Sequence, residues 1–398
     1  MKLTEELINY AQESLLFTAI RPNVVMEKGK GMYLWDTDGK KYLDFIGGWA
    51  VNCLGHCPDV IIKALEKQTS ELVNASPSFY NKPMIELAKL LTSNSCFDKV
   101  FFTSTGAEAN EGAIKLARKY GAKCLNGAYE IITTISGFHG RTLATMSATG
   151  KKQWEHLFEP KVSGFRHVPF NDIDSLNESI NSNTCAIMLE PIQGEGGVNI
   201  ADEKYIKGLR KICDEKEILL IFDEVQTGIG RTGKLFAYEH FDIEPDIMTL
   251  GKGIGGGFPL AALLTKEKYN IFEIGDQGGT YSGQPLAMAV GYAVVNEVIN
   301  NNIDKSAQLQ GDYIIEKLNG LMKRFDIKDV RGKGLLVAFD LAKPVAGDVV
   351  SECLKDGLIV NSPKPSTIRL IPPLIVTKEE IDIMIDIISI VLSRILYK

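Results

Sequence analysis

The chain has little of anything that would staple or anchor it. Its 398 residues include only 7 cysteines, scattered, odd in number and without a C-x-x-C pair, so they spell neither a disulfide framework nor a zinc site. Cys53 and Cys57 flank His56 at a spacing that fits no zinc pattern. Thiols of this kind are expected to be reduced, in a cytoplasmic protein. A basic tract is missing: 44 Lys and Arg against 50 Asp and Glu leave a net charge of −6, which argues against gripping nucleic acid or an anionic membrane. Long apolar runs are missing too. The richest, Ile381 to Leu392, is broken by Asp382 and Asp386, and nothing approaches the length that spans a bilayer. Met1 to Phe17 reads as an amphipathic helix without the uninterrupted apolar centre of a signal peptide. Repeats, low-complexity runs and Pro/Ser linkers are absent, so any domains are expected to pack tightly together. What remains is an ordinary globular composition, 45% apolar and 24% charged, in a chain long enough to bury a large core.

The segment Gly31 to Phe45 predicts a β-hairpin, with Asp38-Gly39 as the positive-φ turn between two aromatic-bearing runs. From about residue 58 to 298, strand and helix patterns alternate. Helices are expected over 58–73, 82–93 and 106–120, and strands over 99–103, 130–135, 186–190, 218–223 and 246–250. The run Ile218 to Asp223 has no polar alternation, as befits a strand covered on both faces of a parallel sheet. The expectation is an α/β fold: a large, mostly parallel sheet with helices on both faces, over 54–298. A smaller α+β domain is expected from 1–53 and 299–398. It would contain a helix from 303 to about 324, short strands at 327–331, 334–340, 358–361 and 367–371, and a last helix over 378–396.

Two glycine-rich stretches invite a nucleotide-binding reading. Gly228-Ile-Gly-Arg-Thr-Gly233-Lys234 matches a phosphate loop until its last letter, where Leu235 stands in place of the magnesium-holding Ser or Thr. Gly251-Lys-Gly253-Ile-Gly-Gly256 matches a dinucleotide fingerprint, but it lies deep in the chain with Gly257 and Pro259 where a helix should continue. The second stretch leaves Lys252 to be explained, a long cation between glycines at the end of an apolar strand. Asp223-Glu224 ends the most apolar strand of all, and carboxylates there face the crevice where α/β sheets bind ligands. Asp223 and Lys252 together suggest either one site or a buried ion pair. A third element favours the site. Strand 99–103 leads through Ser104, Thr105, Gly106 and Ala107 into a strong helix, and hydroxyls and open N–H groups at a helix N-terminus attract phosphate. An ordinary N-cap would explain one of the hydroxyls. An anion cradle, an amine and a buried carboxylate fit pyridoxal 5′-phosphate (PLP), with Lys252 joined to its aldehyde and Asp223 paired with its ring nitrogen.

The residues Thr103 to Glu111, Gly137-Phe-His-Gly-Arg-Thr142, Glu190-Pro-Ile-Gln-Gly-Glu-Gly-Gly197, Phe222 to Gly233 and Thr249-Leu-Gly-Lys-Gly253 resemble the class III (ω-) aminotransferases. The resemblance runs from the Trp35 hairpin to Leu374. It implies a fold type I PLP-dependent transferase, and a homodimer with shared active sites. By that resemblance Lys252 is the Schiff-base lysine and the proton carrier, Asp223 sustains the ring as an electron sink, and Gln226 bonds its phenolic oxygen. Phe138 would stack on the ring and His139 would be a hydrogen-bonded structural histidine. Thr105, with the N–H groups of Gly106 and Ala107, would hold the phosphate, and Thr280 would reach the phosphate of the partner's cofactor. Arg141 would bind a substrate carboxylate and Arg369 the α-carboxylate of 2-oxoglutarate, since guanidinium offers paired, permanently charged donors. Glu195 would cover Arg369 while the amine donor is bound. The implied reaction takes the nitrogen of a terminal amine, N2-acetyl-L-ornithine first, and passes it to 2-oxoglutarate.

Gly279 occupies a position that commonly carries a substrate-touching serine, Trp49 is bulkier than the expected aliphatic residue, and Asn74 to Ser78 is atypical. These positions leave succinylornithine, ornithine, an N-acyl-lysine, 4-aminobutyrate or a diamine open as donors. An aminomutase on the same fold, a nucleotide-binding protein and an inactive homologue are the rival readings. The intact Lys252, Asp223 and Gln226 speak against the last.

Overall fold

A computed structural model describes residues 3–397. Its centre is a seven-stranded sheet built from β1 (Lys99–Thr103), β2 (Glu130–Thr134), β3 (Phe165–Val168), β4 (Thr184–Leu189), β5 (Leu219–Asp223), β6 (Ile247–Leu250) and β7 (Ala261–Thr265), in the order β1-β7-β6-β5-β4-β2-β3. Every residue of β4 and β5 is buried. Leu220 and Phe222 enter one apolar cluster while Leu219 and Ile221 enter another, because successive side chains leave a strand on opposite faces. Each such side chain contributes roughly 1.5–3 kcal/mol by leaving water. The missing polar alternation in this stretch is therefore the mark of a sheet covered on both sides.

Two of the seven strands were not legible. The short β3 contains Arg166 and His167, both exposed; it pairs on one side only, with β2. Strand β7 begins with two alanines after a Gly/Pro-rich stretch, and it runs antiparallel to both β1 and β6. The remaining pairs are parallel.

The helix Gly106–Cys124 runs four residues past the expected end. Its buried face is made of Ala109, Ala113, Ile114, Leu116, Ala117 and Gly121. A Cβ on Gly121 would lie 1.9 Å from the carbonyl oxygen of Ala128, so only glycine lets this turn approach the chain leading into β2.

The hairpin forms between Tyr33–Asp36 and Lys41–Asp44, with Gly39 at φ 81°. Asp36 is structural there: one oxygen accepts the N–H groups of Asp38 and Lys40, and the other accepts the Tyr42 hydroxyl at 2.6 Å. The stretch expected as one strand over 358–361 divides. Leu358–Ile359 pairs with Lys41–Asp44, and Asn361–Lys364 pairs with Thr367–Leu370 in a four-stranded sheet with Ile327–Lys333 and Leu336–Leu341. The first fifty residues thus share a sheet with the last hundred. Helix Leu3–Ser14 occupies the N-terminal amphipathic stretch, of which Met1 and Lys2 lie outside the described residues. Helices Ile303–Met322 and Lys378–Leu396 match the expected ones. Among the described residues, no helix is long and apolar enough to cross a membrane.

The segment Gly228 to Lys234 opens no phosphate-binding helix. Its Arg231 is buried and donates to the carbonyls of Leu335 and Pro372 at 3.0 and 2.5 Å, tying the loop after β5 to the C-terminal sheet.

Candidate active site

Asp223 closes β5, where four apolar residues carry it to the carboxyl edge of the sheet, and it is 3% exposed. Its Oδ2 accepts from Asn110 Nδ2 and pairs with His139 Nδ1, both at 2.8 Å, while Oδ1 accepts the Val225 N–H at 3.0 Å. Thr249 Oγ1 donates to Asn110 Oδ1 at 2.7 Å. That bond turns the Asn110 amide so that its NH₂ serves Asp223 and the carbonyl of His139. Burial works against a charged imidazole, but the hydrogen bond and charge of Asp223, with Glu190 behind it, hold the His139 pKa above its ordinary value.

Strand β6 runs beside β5 with Thr249 in register with Asp223, and three residues later comes Lys252, in the left-handed region at φ 46°. A non-glycine residue there is strained, and such strain collects at functional sites. The chain reaches this point through Gly251, where a Cβ would stand 3.4 Å from Gly106 Cα and 3.0 Å from Val225. The turn bearing Lys252 is therefore packed directly against the start of the helix Gly106–Cys124. Burial lowers the pKa of the Lys252 amine, and although the charges of Glu195, Glu190 and Asp223 oppose it, burial prevails. An amine below its usual range is the better nucleophile.

The four-residue anion cradle read from the sequence separates into two parts. The Thr105 hydroxyl caps its own helix by accepting the Glu108 N–H, and the Glu108 carboxylate takes the N–H groups of Ser104 and Thr105. Thr105 is thus occupied in a capping box. The N–H groups of Gly106 and Ala107 are left at the positive end of the helix. Gln226 is buried with neither its oxygen nor its nitrogen bonded. Buried amides are normally satisfied, so this one fits a polar group supplied by a ligand. His139 Nε2 and Arg369 Nη1 are buried and unpartnered as well.

Phe138 is half-buried, held by the bond from its N–H to the Glu190 carboxylate at 2.9 Å. Burial, then the charge of Asp223, pushes the Glu190 carboxyl up to about 7. Arg369 stands on the strand Thr367–Leu370, fully buried, with Nε on Asn361 Oδ1 at 3.2 Å and Nη2 on Glu195 Oε1 at 2.7 Å. Glu195 comes from the loop joining the short strands Ile192–Gln193 and Asn199–Ile200. Burial raises its carboxyl, but the charge and hydrogen bond of Arg369, then Lys151 and Lys252, bring it below the ordinary value. Arg141 is exposed, its guanidinium 5.0 Å from the Trp154 ring centre. Gly279 and Thr280 are exposed on a loop that borders a cleft of about 430 Å³ with Ser104, Glu108 and Glu111. Trp49 lies on a short left-handed turn, Gly47–Ala50, and is 53% exposed.

Asn110, Thr249, Glu190 and Lys151 were not expected here. Asn110 left a faint signal, an amide on a helix face otherwise made of small apolar residues. Glu190 left the same signal as Asp223, a carboxylate directly after a buried apolar strand; Thr249 and Lys151 left none.

Glu224 faces away from the site, as alternation along an extended segment requires. Its carboxylate accepts the N–H groups of Ala237 and Tyr238 at 2.6 and 2.8 Å. Burial nevertheless pushes it up to about 7, from an ordinary 4.5. The folded value exceeds the unfolded one, so its contribution to stability is complete below pH 4.5 and is lost as pH rises through about 7. Glu224→Gln is expected to flatten this fall by about 1–3 kcal/mol between pH 5 and 8. Urea midpoints measured across that range would show it, and an unchanged slope would contradict it.

The pattern of the family described as Aminotransferase class-III matches residues 18–392. The acetylornithine aminotransferase of Ralstonia nicotianae is 50% identical over 392 residues, which cover 97% of this chain and 98% of that protein. The structure of acetylornithine aminotransferase from Elizabethkingia anophelis aligns at TM-score 0.89 and 34% identity, over 99% of this chain and 100% of the other. An ornithine aminotransferase structure from Toxoplasma gondii, with PLP at partial occupancy in its active site, aligns at TM-score 0.95 and 30% identity, over 100% and 96%.

Proposed function

The chain belongs to the class-III aminotransferases, and from that premise we propose that its amine donor is N2-acetyl-L-ornithine, in arginine biosynthesis. The enzyme is a PLP-dependent transaminase acting on an amine donor and a keto acid. Full-length identity of 50% to an acetylornithine enzyme supports the donor. The observations that support the site assignment are that Asp223 ends the strand beside the one leading to Lys252, that its charge acts on the Lys252 amine, and that Gln226, three residues on, is buried with its amide unbonded. Bound PLP supplies an electron sink that stabilises negative charge on the donor's amine-bearing carbon.

The chain's own residues do the rest. Lys252 Nζ would hold the aldehyde carbon and, once displaced by the donor, carry a proton from the amine-bearing carbon. Its lowered pKa leaves the amine readier to be unprotonated and so to accept that proton. Asp223, kept in place by Asn110, His139 and the Val225 amide, would pair with the ring nitrogen and favour its protonated form. The Gln226 amide would bond the phenolic oxygen, and Gly106 and Ala107 would bind the phosphate. Arg141 would take the donor's carboxylate. Arg369 would take that of 2-oxoglutarate when Glu195 releases it, and with Glu195 in place a donor cannot bind the wrong way round. The donor leaves as a semialdehyde, and 2-oxoglutarate leaves as glutamate.

The loop bearing Thr280 supports a homodimer with shared sites. Tyr281, Phe79 and Tyr80 are exposed around it, and Asn81 Nδ2 bonds the Gly283 carbonyl at 2.9 Å. An apolar rim of this kind suits a second copy.

The donor is tested by scoring glutamate formed from 2-oxoglutarate with N2-acetyl-L-ornithine, N2-succinyl-L-ornithine, ornithine, an N-acyl-lysine, 4-aminobutyrate and a diamine. Acetylornithine is expected to lead by about tenfold or more in kcat/KM, a difference of about 1.4 kcal/mol in transition-state binding. A higher value for ornithine would reassign the donor.

A further inference from the structure

Arg369 is the more constrained member of its pair with Glu195. It is fully buried and anchored through Nε to Asn361, so any change at this pair is a movement of Glu195. The carboxylate that leaves must settle somewhere, because a largely buried charge without a partner is costly. We propose that Lys151 is the alternate seat of the Glu195 carboxylate, taking it over when 2-oxoglutarate claims Arg369. The proposal rests on the two-substrate reaction above and adds a positioning residue to it.

The two oxygens of Glu195 are already divided between two cations. Oε1 lies 2.7 Å from Arg369 Nη2, and Oε2 lies 3.7 Å from Lys151 Nζ. The second distance is an ion pair still too long for a hydrogen bond; closing it by about 1 Å would make a charge-assisted one. Lys151 is well placed to wait there. Its side chain is only 18% exposed, and its ammonium lies 4.9 Å from the Phe138 ring centre and 5.2 Å from that of Trp154. Cation–aromatic contacts of this length hold the stem in place. Lys151 makes no ion pair with another carboxylate among the described residues. When Glu195 shifts, Arg369 gains a second free donor beside Nη1, which is buried and unpartnered. Two parallel donors are what a carboxylate fork needs.

The test uses the holoenzyme and Lys151→Met, which keeps the apolar stem and removes the charge. Glutarate, an unreactive dicarboxylate, is titrated by calorimetry, and each half-reaction is followed separately in single turnovers. Without Lys151, displacing Glu195 is harder, so glutarate is expected to bind about tenfold more weakly. KM for 2-oxoglutarate should rise in step while the acetylornithine half-reaction changes far less. Lys151→Arg should restore glutarate affinity. In a Glu195→Gln background the Lys151→Met penalty should vanish, because no charge then needs the seat. An unchanged glutarate affinity in Lys151→Met, equal losses in both half-reactions, or a penalty that persists beside Glu195→Gln would each overturn the proposal. A wild-type protein that binds glutarate yet forms no glutamate from any amine would overturn the proposed function instead, leaving the calorimetric cycle to decide on Lys151.

Discussion

Lys252→Ala is expected to abolish transfer from every donor and to remove the visible absorbance that marks covalent attachment of the cofactor. Lys252 is a buried amine whose pKa burial has lowered while Glu195, Glu190 and Asp223 stand close enough to influence it. Under the proposed assignment, its removal takes away both the covalent anchor and the proton carrier. General acid–base catalysis alone is worth about 10²–10⁴-fold, so turnover should fall by at least about 10³-fold. The fold should survive, because the turn around residue 252 is held by the contact of Gly251 with Gly106 and Val225 rather than by the lysine stem. Absorbance spectra with added PLP, glutamate assays and thermal midpoints would be read together. A variant that keeps its colour and its turnover would remove Lys252 from the site.

Asp223→Asn should leave the protein folded and cost about 10²–10⁴-fold in kcat. The carboxylate is buried among three donors, Asn110, His139 and the Val225 amide. Asparagine keeps the shape: its amide oxygen can take the Asn110 and His139 donors, leaving its NH₂ against the Val225 N–H at the loss of one hydrogen bond. Under the proposed role, the negative charge that would pair with the ring nitrogen is what disappears. Losing one partner of a buried charged pair costs about 3–5 kcal/mol, and each 1.4 kcal/mol of barrier is a factor of ten. Rates and cofactor affinity by equilibrium dialysis would be compared with the wild type. Activity within tenfold of wild type would mean that Asp223 only supports the local packing.

The two residues with these large expected effects were legible for the same reason. Asp223 ends an uninterrupted apolar run and Lys252 follows a short, mostly apolar one, and a charge at the end of a covered strand lies at the carboxyl edge of the sheet. The strand, small-residue turn and helix that put Gly106 and Ala107 at a helix N-terminus were legible. The role of Thr105 was not, because its hydroxyl had two plausible partners and the nearer one, its own helix, took it. The split of 358–361 between two sheets was hidden because pairing depends on strands lying far away in the chain.

By itself the amino-acid order determined the layered architecture, the strand ends and the chemical kind of the site, since apolar runs, glycines and isolated charges act locally. Only the tertiary structure decided which groups restrain those residues. Asn110 meets Thr249 across 139 positions, and Lys151 stands beside the pair of Glu195 and Arg369, which the resemblance had already joined. Such partnerships depend on burial and charge in three dimensions, where a low dielectric makes each contact matter, and no spacing along the chain encodes them.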